Sequence, residues 1–521
     1  MGRHDGFLAG GAVGCGAMSL VHAEPTAQAR AMALRWLLPF VLLATGLALL
    51  RPTVAGIDDV TWLIEVAERV LDGQRLYVDV IETNPPASVW LYLPAVFLAR
   101  LLLATPETMV DAQTYLCATG SLWFCARIVG RTRLAETVNA PWLLASIAAI
   151  LTILPHGVFG QKEHYVLMAL LPLLAMQAAR AFCAPPPRAS VVLAGLCAGI
   201  GLAIKPHFAL CLAPVLLAAA WPGGPWRSAL PQALKKALRA EAVAAGAVVA
   251  LYAALVVWLQ PEFFTHVLPV MALVYVPVRL TWMQIVTHPA MLIWAAAMLA
   301  LALAARARLL VAPLSLLALA STGAMLAFLL QSKGYMYQAY PMLALVLAGG
   351  ASAVFDMLAG GQTPLRMLAP GALALVAQAT WAWSGIVWDS RELRAVVTLV
   401  QPHPRLLAIS SELSVGHPLV RQLGGTWVSR GPCLWNIRGG QERIDREALD
   451  GATLAQIRAY GRAERDMLLG DIRTGHPDIV LVQIKGVDWS KWAAADADIS
   501  AELADFENRG TYDGVQVLQR R

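Results

Sequence analysis

The sequence is poor in charged residues and in cysteine. Only 14% of its 521 residues are Asp, Glu, Lys or Arg and 58% are hydrophobic, whereas a typical soluble domain has about 25% charged residues. This balance excludes an ordinary soluble enzyme and a disordered chain. The seven cysteines include no Cys-x-x-Cys pair, which argues against a disulfide framework or a thiolate metal site.

The charge that remains is slightly basic, with 40 Lys and Arg against 34 Asp and Glu. We do not interpret the net charge of +6 as nucleic-acid binding, because the basic residues stand in short loops between apolar segments. Lys and Arg in such loops set the orientation of membrane helices. No nucleic-acid partner is therefore expected, and the bilayer itself is the expected surroundings of the chain.

Long apolar segments recur along most of the chain, whose mean hydropathy is +0.59. A segment of about 17–25 apolar residues can span a bilayer. The pattern predicts a mainly α protein, a polytopic transmembrane bundle of about 11–13 helices. The candidate spans are 34–50, 86–104, 112–129, 139–155, 164–182, 189–204, 206–221, 241–259, 289–305, 309–330, 340–358 and 367–388.

The two ends of the chain differ from this bundle (34–388). Residues 1–33 form a Gly/Ala-rich tail, which is either an unstructured extension, a weak signal peptide, or the result of a start misassigned in place of Met32. Residues 389–521 are charged, and their short apolar runs alternate with helical stretches. This alternation predicts a small C-terminal α/β domain.

Basic residues predict on which side of the membrane each loop lies. Loops rich in Arg and Lys are cytoplasmic, and the loops between them fall on the periplasmic face of a bacterial inner membrane. Two apolar segments lie between the external loop 51–85 and the cytoplasmic loop that contains Arg127, Arg131 and Arg133, although only one net crossing is allowed between them. We therefore expect segment 86–104 to lie along the membrane or dip into it. The alternative is that one loop breaks the charge rule. The expected external stretches are the first external loop at 51–85, then 156–163, 205–206, 260–288, 331–339 and 389–521.

The first external loop contains two adjacent acids, Asp58 and Asp59, followed by an amphipathic segment that stops at Gly73. Such a helix is expected to lie flat on the bilayer. Asp58 taken alone is explained by a helix N-cap, because a carboxylate there satisfies free backbone N–H groups. Ionisable residues at a membrane face are costly and commonly functional, which favours a catalytic role instead.

Acids and lysines recur in the other external turns. Lys and Tyr also anchor proteins at the membrane interface, and this is the alternative for each turn taken singly. Their recurrence on one side of the membrane favours a single polar cavity. The residues are Lys162, Glu163 and His164 in FGQKEHY, Lys205 and His207 in AIKPHF, Glu262 and His266 in PEFFTHV, and Lys333, Tyr335, Tyr337 and Tyr340 in QSKGYMYQAYP.

These side-chain types suit the transfer of a group from a lipid phosphate. A carboxylate can take the proton of an acceptor hydroxyl or amine as general base. Lysines can bind a phosphate and stabilise the negative charge that develops on a leaving phosphate. We therefore expect group transfer from a lipid phosphate to an acceptor at the outer membrane face.

The order of these motifs resembles the GT-C membrane glycosyltransferases, in pattern most of all the protein O-mannosyltransferases and the lipid A aminoarabinose transferase. In those enzymes an acid pair opens the first loop, a Gly follows one helix length later, and a Glu-Lys-Pro-Pro-like element begins the next apolar segment. Asp58, Asp59 and Gly73 match the first part, and Glu82 in ETNPP matches the second. The resemblance covers residues 34–388, and its motifs are short but agree in order and spacing.

The resemblance continues into the later turns, where Glu163, Lys205 in AIKPHF and Lys333 in SKGYMYQAYP are similar to family elements. It implies a polyprenyl-phosphate-linked sugar as donor, with transfer outside the cytoplasm to a glycan, lipid or protein acceptor. It also implies that Asp58 is the acid nearest the transferred sugar. The implied catalytic acids are Asp58, Asp59 and Glu163, and the implied phosphate-binding residues are Lys162, Lys205, Lys333 and Tyr337.

One departure concerns Asn84, which stands where relatives have a phosphate-binding Lys. A neutral amide cannot replace an ammonium group electrostatically. Phosphate binding would then rely on Lys162, Lys205 or Lys333. The candidates for contacts with the acceptor are Glu82, Asn84 and His164.

A second departure concerns a metal ion. Some relatives bind a divalent cation between the later acid of the first loop and a His in the long external loop, and Glu82 and His266 are the counterparts here. Two ligands fall short of a full metal site. Reactions with and without a divalent metal ion therefore both stay open, and no other cofactor is expected.

Two other classes of protein compete with the transferase interpretation. A transporter or lipid flippase places charges near the bilayer midplane on broken helices, whereas the charges here cluster at the ends of segments. A polysaccharide polymerase or ligase of another fold centres on Arg and His in a large external loop, and residues 260–288 have only Arg279, His266 and His288. A membrane glycosyltransferase is the interpretation that we favour.

The C-terminal domain has no catalytic set of its own. Cys433, Trp489 and Trp492 match no arrangement that would perform chemistry. Core packing is expected for the two tryptophans, and stacking on sugars is the alternative. The domain is expected either to bind the acceptor or to cover the site.

Overall fold

A computed structural model describes residues 54–132, 134, 140–182, 187–306, 314–359, 364–384 and 389–521. The predicted N-terminal tail (1–33), the alternative start at Met32 and the predicted first span (34–50) lie outside the described residues. Up to residue 384 the described chain is helical, and from residue 389 it forms a mixed α/β domain. The mainly helical fold with a small C-terminal sheet that the sequence predicts is thus confirmed.

The helical part consists of apolar helices joined by short turns. Their buried side chains form one continuous hydrophobic core. Between α10 and α11 the external loop makes a run of π-helical and α-helical turns from Phe263 to Tyr275. The elements are α1 (Asp58–Leu71), α2 (Ala87–Trp90), α3 (Leu93–Leu102), α4 (Pro106–Gly130), α5 (Ala140–Thr152), α6 (Lys162–Phe182), α7 (Arg188–Ile204), α8 (Ala209–Ala220), α9 (Trp226–Ala237), α10 (Ala240–Leu259), α11 (Trp282–Val286), α12 (Pro289–Arg306), α13 (Ser315–Gln331), α14 (Met336–Ala359) and α15 (Pro364–Ser384).

Several of these helices present apolar side chains outward. Two described helices, Lys162–Ala181 and Ala240–Leu259, are each long and apolar enough to cross a membrane, and shorter apolar helices of 10–17 residues accompany them. Helix α10 exposes Val243, Leu251 and Trp258 on its surface. Large exposed apolar faces are unusual on soluble proteins, so this surface suits contact with lipid.

Helices α7 and α10 approach each other closely through small residues. Gly195 and Gly199 are four residues apart in α7 and therefore lie on one face. A Cβ atom at Gly195 would come within 2.3 Å of the carbonyl oxygen of Glu241, and one at Gly199 within 2.8 Å of the carbonyl oxygen of Ala245. This spacing of small residues is the one that lets membrane helices pack backbone to backbone.

The segment 86–104, whose topology the charge rule leaves ambiguous, folds as the two short helices α2 and α3. Helix α3 has 10 residues and is about 15 Å long. The hydrocarbon core of a bilayer is about 30 Å thick. The segment therefore does not form a single straight helix long enough to cross it.

Helix α1 is amphipathic, as the sequence predicts. Its apolar residues, among them Val60 and Trp62, are buried in the core of the helical part. On its polar face, Arg69 donates hydrogen bonds to the backbone carbonyls of Trp427 and Ser429. The expectation that this helix lies on the bilayer surface is not met, because its apolar face is buried in the protein core and is not available to lipid.

The C-terminal domain is a five-stranded mixed sheet with flanking helices. Its alternation of strands and helices follows the apolar runs from which the sequence predicts an α/β fold. The elements are α16 (Arg391–Val400), β1 (Arg405–Ile409), α17 (Leu419–Gln422), β2 (Thr426–Trp427), α18 (Trp435–Arg446), α19 (Gly451–Gly475), β3 (Ile479–Gln483), α20 (Trp489–Ala495), α21 (Ala497–Leu503), β4 (Phe506–Tyr512) and β5 (Val515–Arg520).

The strand order is β2-β1-β3-β5-β4, with the first three strands parallel and the last two added antiparallel. Leu406 pairs with Ile479 and Ile409 with Val482 in the central register. Strand β3 is buried along its whole length, as expected for a strand that is covered on both faces.

An ion-pair cluster holds the C-terminal domain on the helical part. Arg421 pairs with Glu65 and Glu68 of α1 and with Glu107 at the start of α4. A guanidinium group carries five N–H donors, so one side chain can serve three carboxylates. This cluster fixes the C-terminal domain over the first external loop, next to the site described below.

Candidate active site

Asp58 and Asp59 are the first two residues of α1. The N-cap position belongs to Ile57, so Asp58 is not the cap residue that the alternative interpretation requires. Its carboxylate instead accepts a hydrogen bond from the Asp59 amide at 2.8 Å. Burial, with the neighbouring charge of Asp59, raises the pKa of Asp58 to about 6. The group is therefore an acid whose proton exchanges near neutral pH.

Lys162 is the cation nearest to this acid pair. It begins α6, is fully buried, and forms an ion pair with Asp59. Its ammonium group also lies 5.8 Å from the ring centroid of Tyr337. A buried lysine is costly unless a carboxylate and other polar contacts compensate it, and Asp59 supplies that compensation.

Lys205 occupies the turn after α7 and makes two long contacts. Its Nζ lies 3.4 Å from Glu163 Oε1 and donates to Asn84 Oδ1, also at 3.4 Å. Glu163 is completely buried, and within the described residues neither of its carboxylate oxygens accepts a hydrogen bond. Lys205 is thus held loosely, by one ion pair and one amide oxygen.

Glu82 organises the end of the first external loop. Its carboxylate accepts hydrogen bonds from Trp62 Nε1 at 2.6 Å and from the amides of Thr83 and Asn84 at 2.8 and 2.7 Å. The Asn84 side-chain amide donates to it as well, at 2.7 Å. Asn84 therefore bridges Glu82 and Lys205.

These residues form two groups of polar contacts, Asp58–Asp59–Lys162 and Glu82–Asn84–Lys205–Glu163, which meet at the adjacent residues Lys162 and Glu163. We call the two groups together the acid–lysine pocket. They come from the first external loop, from the start of α6 and from the turn after α7, which are far apart in sequence. The sequence predicts that these turns meet in one polar cavity; the structure places their side chains in contact with one another in the two groups given above. The acid–lysine pocket consists of Asp58, Asp59, Glu82, Asn84, Lys162, Glu163 and Lys205.

Lys333 is placed differently from the other lysines. It donates to the backbone carbonyls of Tyr275 and Val278 in the long external loop, and its Nζ lies 4.0 Å from the ring centroid of Tyr275. Burial and the positive charge of Arg279 lower its pKa to about 8. Two of its three N–H donors are used by these backbone carbonyls, so Lys333 has fewer donors to offer a phosphate, and its phosphate-binding role stays a prediction. Tyr337 stacks on Tyr335, with ring centroids 5.3 Å apart.

The structure does not bring His164 into the pocket. Its Nδ1 accepts a hydrogen bond from the Gly160 amide at 3.2 Å, and its Nε2 lies 3.0 Å from the Leu151 carbonyl. The ring is completely buried. His164 therefore braces the start of α6, and the predicted contact with the acceptor is not supported.

The residues do not fit the divalent metal site suggested for Glu82 and His266. The oxygens of Glu82 are already occupied by Trp62, Thr83 and Asn84. His266 is exposed in the long external loop. Among the described residues, no group of three His, Cys, Asp or Glu side chains is arranged to hold a metal ion. No step of the reaction below is assigned to a metal.

The sequence does not reveal that the C-terminal domain reaches this pocket. Burial raises the pKa of the Cys433 thiol well above its usual range, and the carboxylates of Glu464 and Glu412 add to the shift, with smaller contributions from Glu82 and Asp58. The direct contact is made by Ile81, the residue before Glu82, whose amide donates to the Arg430 carbonyl at 2.8 Å. No sequence signal predicts this, because the contact joins segments more than 300 residues apart.

The fold of this chain is similar to that of two solved structures of ArnT, at a sequence identity that shows a likeness of fold alone. The chain is similar to ArnT from Cupriavidus metallidurans bound to undecaprenyl phosphate, with a TM-score of 0.51 and 14% identity over 93% of this chain and 98% of that one. Apo ArnT gives a TM-score of 0.50 and 14% identity over 94% and 98%. Arabinofuranosyltransferase AftD from Mycobacteria gives 0.42 and 13% identity over 93% of this chain and 40% of that one. No protein-family model and no curated protein sequence matches the chain.

Proposed function

We propose that this protein is a multi-pass glycosyltransferase of a bacterial inner membrane that uses a polyprenyl-phosphate-linked sugar. The acceptor is a glycan, lipid or protein at the periplasmic face. The observation that carries the proposal is the acid–lysine pocket, in which Asp58 has a raised pKa next to the Asp59–Lys162 ion pair, and Lys205 contacts Glu163. The GT-C fold, found also in an ArnT bound to undecaprenyl phosphate, supports the same kind of donor.

In the proposed reaction, Asp58 takes the proton of the acceptor hydroxyl or amine. The freed acceptor atom attacks the anomeric carbon of the sugar, and the bond from that carbon to the phosphate oxygen breaks. Polyprenyl phosphate leaves with the bonding electron pair, and the configuration at the anomeric carbon inverts. A general base is most effective when its pKa lies near the working pH, and a pKa of about 6 for Asp58 meets this condition.

Lys205 is the residue that we assign to the leaving phosphate. Its two contacts are both 3.4 Å long, whereas Lys162 is buried in an ion pair with Asp59. A phosphate oxygen can therefore compete for Lys205 at a smaller cost. Lys205 also contacts Asn84, and thereby brings an ammonium group to the place where relatives have a lysine in the first loop. Positive charge placed at a leaving group lowers the barrier of the transfer.

The positions of the charged residues also separate this proposal from a transporter or flippase. Asp58 and Lys162 begin helices and Lys205 follows the end of one. Transporters place such groups at breaks in the middle of spanning helices. The same purified protein, reconstituted in vesicles with a labelled lipid-phosphate sugar, distinguishes transfer of the sugar from movement of the lipid.

The test is turnover of a polyprenyl-phosphate sugar by the purified protein and by its Asp58→Asn variant. Loss of a general base typically costs 10²–10⁴-fold in rate, and we expect a decrease of about that size in kcat. Asp79→Asn is the matched control, because Asp79 is a partly exposed acid of the same loop whose ion pair, among the described residues, is with Arg75. Full turnover by Asp58→Asn would remove Asp58 from the mechanism.

A further inference from the structure

A groove with a volume of about 340 Å³ runs between α18 and α19 on the C-terminal domain. Its floor is apolar, with Ile437 and Ile457 among its lining residues, and Trp492 lines its side. Ligand pockets commonly have volumes of about 300–1,000 Å³. The groove shares no residue with the acid–lysine pocket, so the proposed catalytic chemistry does not account for it.

Two arginines on the rim of the groove lack acidic partners. Arg458 and Arg462 lie one helical turn apart on α19, and both are exposed. Like charges at this spacing destabilise a helix, and within the described residues neither guanidinium group takes part in an ion pair. Arg465, on the same side of α19, is by contrast paired with Asp496 and Asp498. The rim therefore presents two free guanidinium groups next to each other.

An aromatic ring and an amide complete the lining. Trp492 packs edge-to-face on the buried Trp489, with ring centroids 5.3 Å apart, and this contact fixes its ring beside the groove. The Asn436 side chain also lines the groove. The alternative that the sequence leaves open, sugar stacking in place of core packing, is therefore compatible with Trp492, whereas Trp489 is in the core.

Gly461 keeps the groove open. It lies inside α19 and lines the groove, and a Cβ atom there would meet only Ile437 Cγ1, at the ordinary distance of 3.9 Å. No close approach of backbones requires a glycine at this position. Glycine is unfavourable in the interior of a helix relative to alanine, so the structural gain that it offers here is the space of the groove.

We propose that this groove binds an anionic glycan, the acceptor chain of the transfer described above; this inference rests on the proposed function. A tryptophan ring stacks on the apolar face of a sugar. Guanidinium groups bind carboxylates or phosphates with bidentate geometry, and Arg458 and Arg462 offer two of them side by side. An amide satisfies sugar hydroxyls as both donor and acceptor. The combination of Arg458, Arg462, Trp492 and Asn436 meets these needs together.

The position of α18 links the groove to the reaction site. Arg443, on this helix, donates to the Leu273 carbonyl of the long external loop at 2.6 Å. The same loop is held from the helical part by Lys333. Phe263 of this loop packs on Tyr77, with ring centroids 5.6 Å apart, and the Tyr77 hydroxyl donates to the Asn84 carbonyl at 2.7 Å. A glycan seated in the groove therefore lies one helix away from a loop that contacts the segment of Asn84.

The test is calorimetric binding of oligogalacturonate to the full chain in nanodiscs of zwitterionic lipid, with a maltooligosaccharide of equal length as the neutral probe. We expect the acidic probe to bind at least tenfold more tightly than the neutral one. Arg458→Gln/Arg462→Gln and the groove-filling Gly461→Leu are each expected to weaken binding at least tenfold. The matched control Arg391→Gln/Arg521→Gln removes two exposed arginines of the same domain that lie outside the groove and, within the described residues, form no ion pair; it should bind like the wild type.

Equal binding of both probes, or an equal loss in the control variant, would overturn the glycan site. So would displacement of the acidic probe by phosphatidylglycerol in the nanodisc, which would assign the arginines to lipid headgroups. Hydrolysis of the sugar donor without acceptor is measured in parallel, and the arginine variants should retain it. Failure of glycan binding with intact donor hydrolysis contradicts the groove alone, whereas an Asp58→Asn variant with full activity contradicts the proposed function alone.

Discussion

Lys205 in the acid–lysine pocket and Lys333 under the long external loop bind very different partners. Lys205 contacts a carboxylate and an amide oxygen at 3.4 Å each, whereas Lys333 donates to two backbone carbonyls and lies over a tyrosine ring. An ammonium group with two long contacts can exchange them for a substrate phosphate. An ammonium group that satisfies backbone carbonyls leaves unpaired polar groups behind if it moves. The surroundings of each lysine therefore separate a binding role from a structural one.

The largest difference between the two lysines is expected in catalysis. Lys205→Met removes the charge that we assign to the leaving phosphate, and loss of such an electrostatic contact typically costs about 10²–10³-fold in kcat. The measurement is kcat and KM with a polyprenyl-phosphate sugar. Lys205→Arg is the control that keeps the charge, and it should retain more activity than Lys205→Met. Equal kcat in Lys205→Met and the wild type would contradict the assignment.

A smaller effect is expected when Lys333 is replaced. Lys333→Met leaves the carbonyls of Tyr275 and Val278 without their donor, and a hydrogen bond to a charged group contributes about 1.5–3 kcal/mol. We expect faster amide hydrogen exchange in residues 271–280 and a decrease in turnover of about tenfold, less than for Lys205→Met. A variant with wild-type exchange in this loop but no donor turnover would show that Lys333 binds substrate instead.

The smallest effect concerns the pH profile of the pocket. Asp58 must be ionised to accept a proton, so kcat/KM should fall as the pH drops below about 6, the pKa of this group. Asp59→Asn removes a neighbouring negative charge that raises this pKa, and should shift the acid limb to lower pH by less than one unit. The measurement is kcat/KM from pH 4.5 to 8. The control variant Asp79→Asn should show the same fall of kcat/KM at acid pH as the wild type. A fall of kcat/KM that begins at a higher pH in Asp59→Asn than in the wild type would contradict the role of Asp59.

Much of the fold can be predicted from the chain itself. Long apolar runs predict the helices. The short apolar runs at 405–410 and 478–484, which are separated by helical stretches, predict strands β1 and β3. The placement of α1 cannot be predicted this way. Its amphipathic pattern is the same whether lipid or the protein core covers its apolar face, and only the tertiary structure, in which Val60 and Trp62 are buried in the core, decides between them.

In the candidate site, too, part of the arrangement can be predicted from the sequence and part cannot. Acids and lysines near helix ends on one side of the bundle predict that Asp58, Asp59, Lys162, Glu163 and Lys205 converge, because ionisable groups at a membrane need partners. The separate roles of the lysines and His164 do not follow from sequence. Each depends on which atoms lie within hydrogen-bonding distance, such as the Leu151 carbonyl beside His164, and residue type does not encode that.

The central claim is that the donor phosphate binds at Lys205, next to Asp58. The most direct measurement is an electron cryomicroscopy map of the protein in nanodiscs with undecaprenyl phosphate bound. We expect a phosphate oxygen about 2.7–2.9 Å from Lys205 Nζ, the length of a charge-assisted hydrogen bond, with the carboxylate of Asp58 facing the same cavity. Phosphate density at Lys333 or at the Arg458–Arg462 rim, with Lys205 still on Glu163 and Asn84, would contradict the claim.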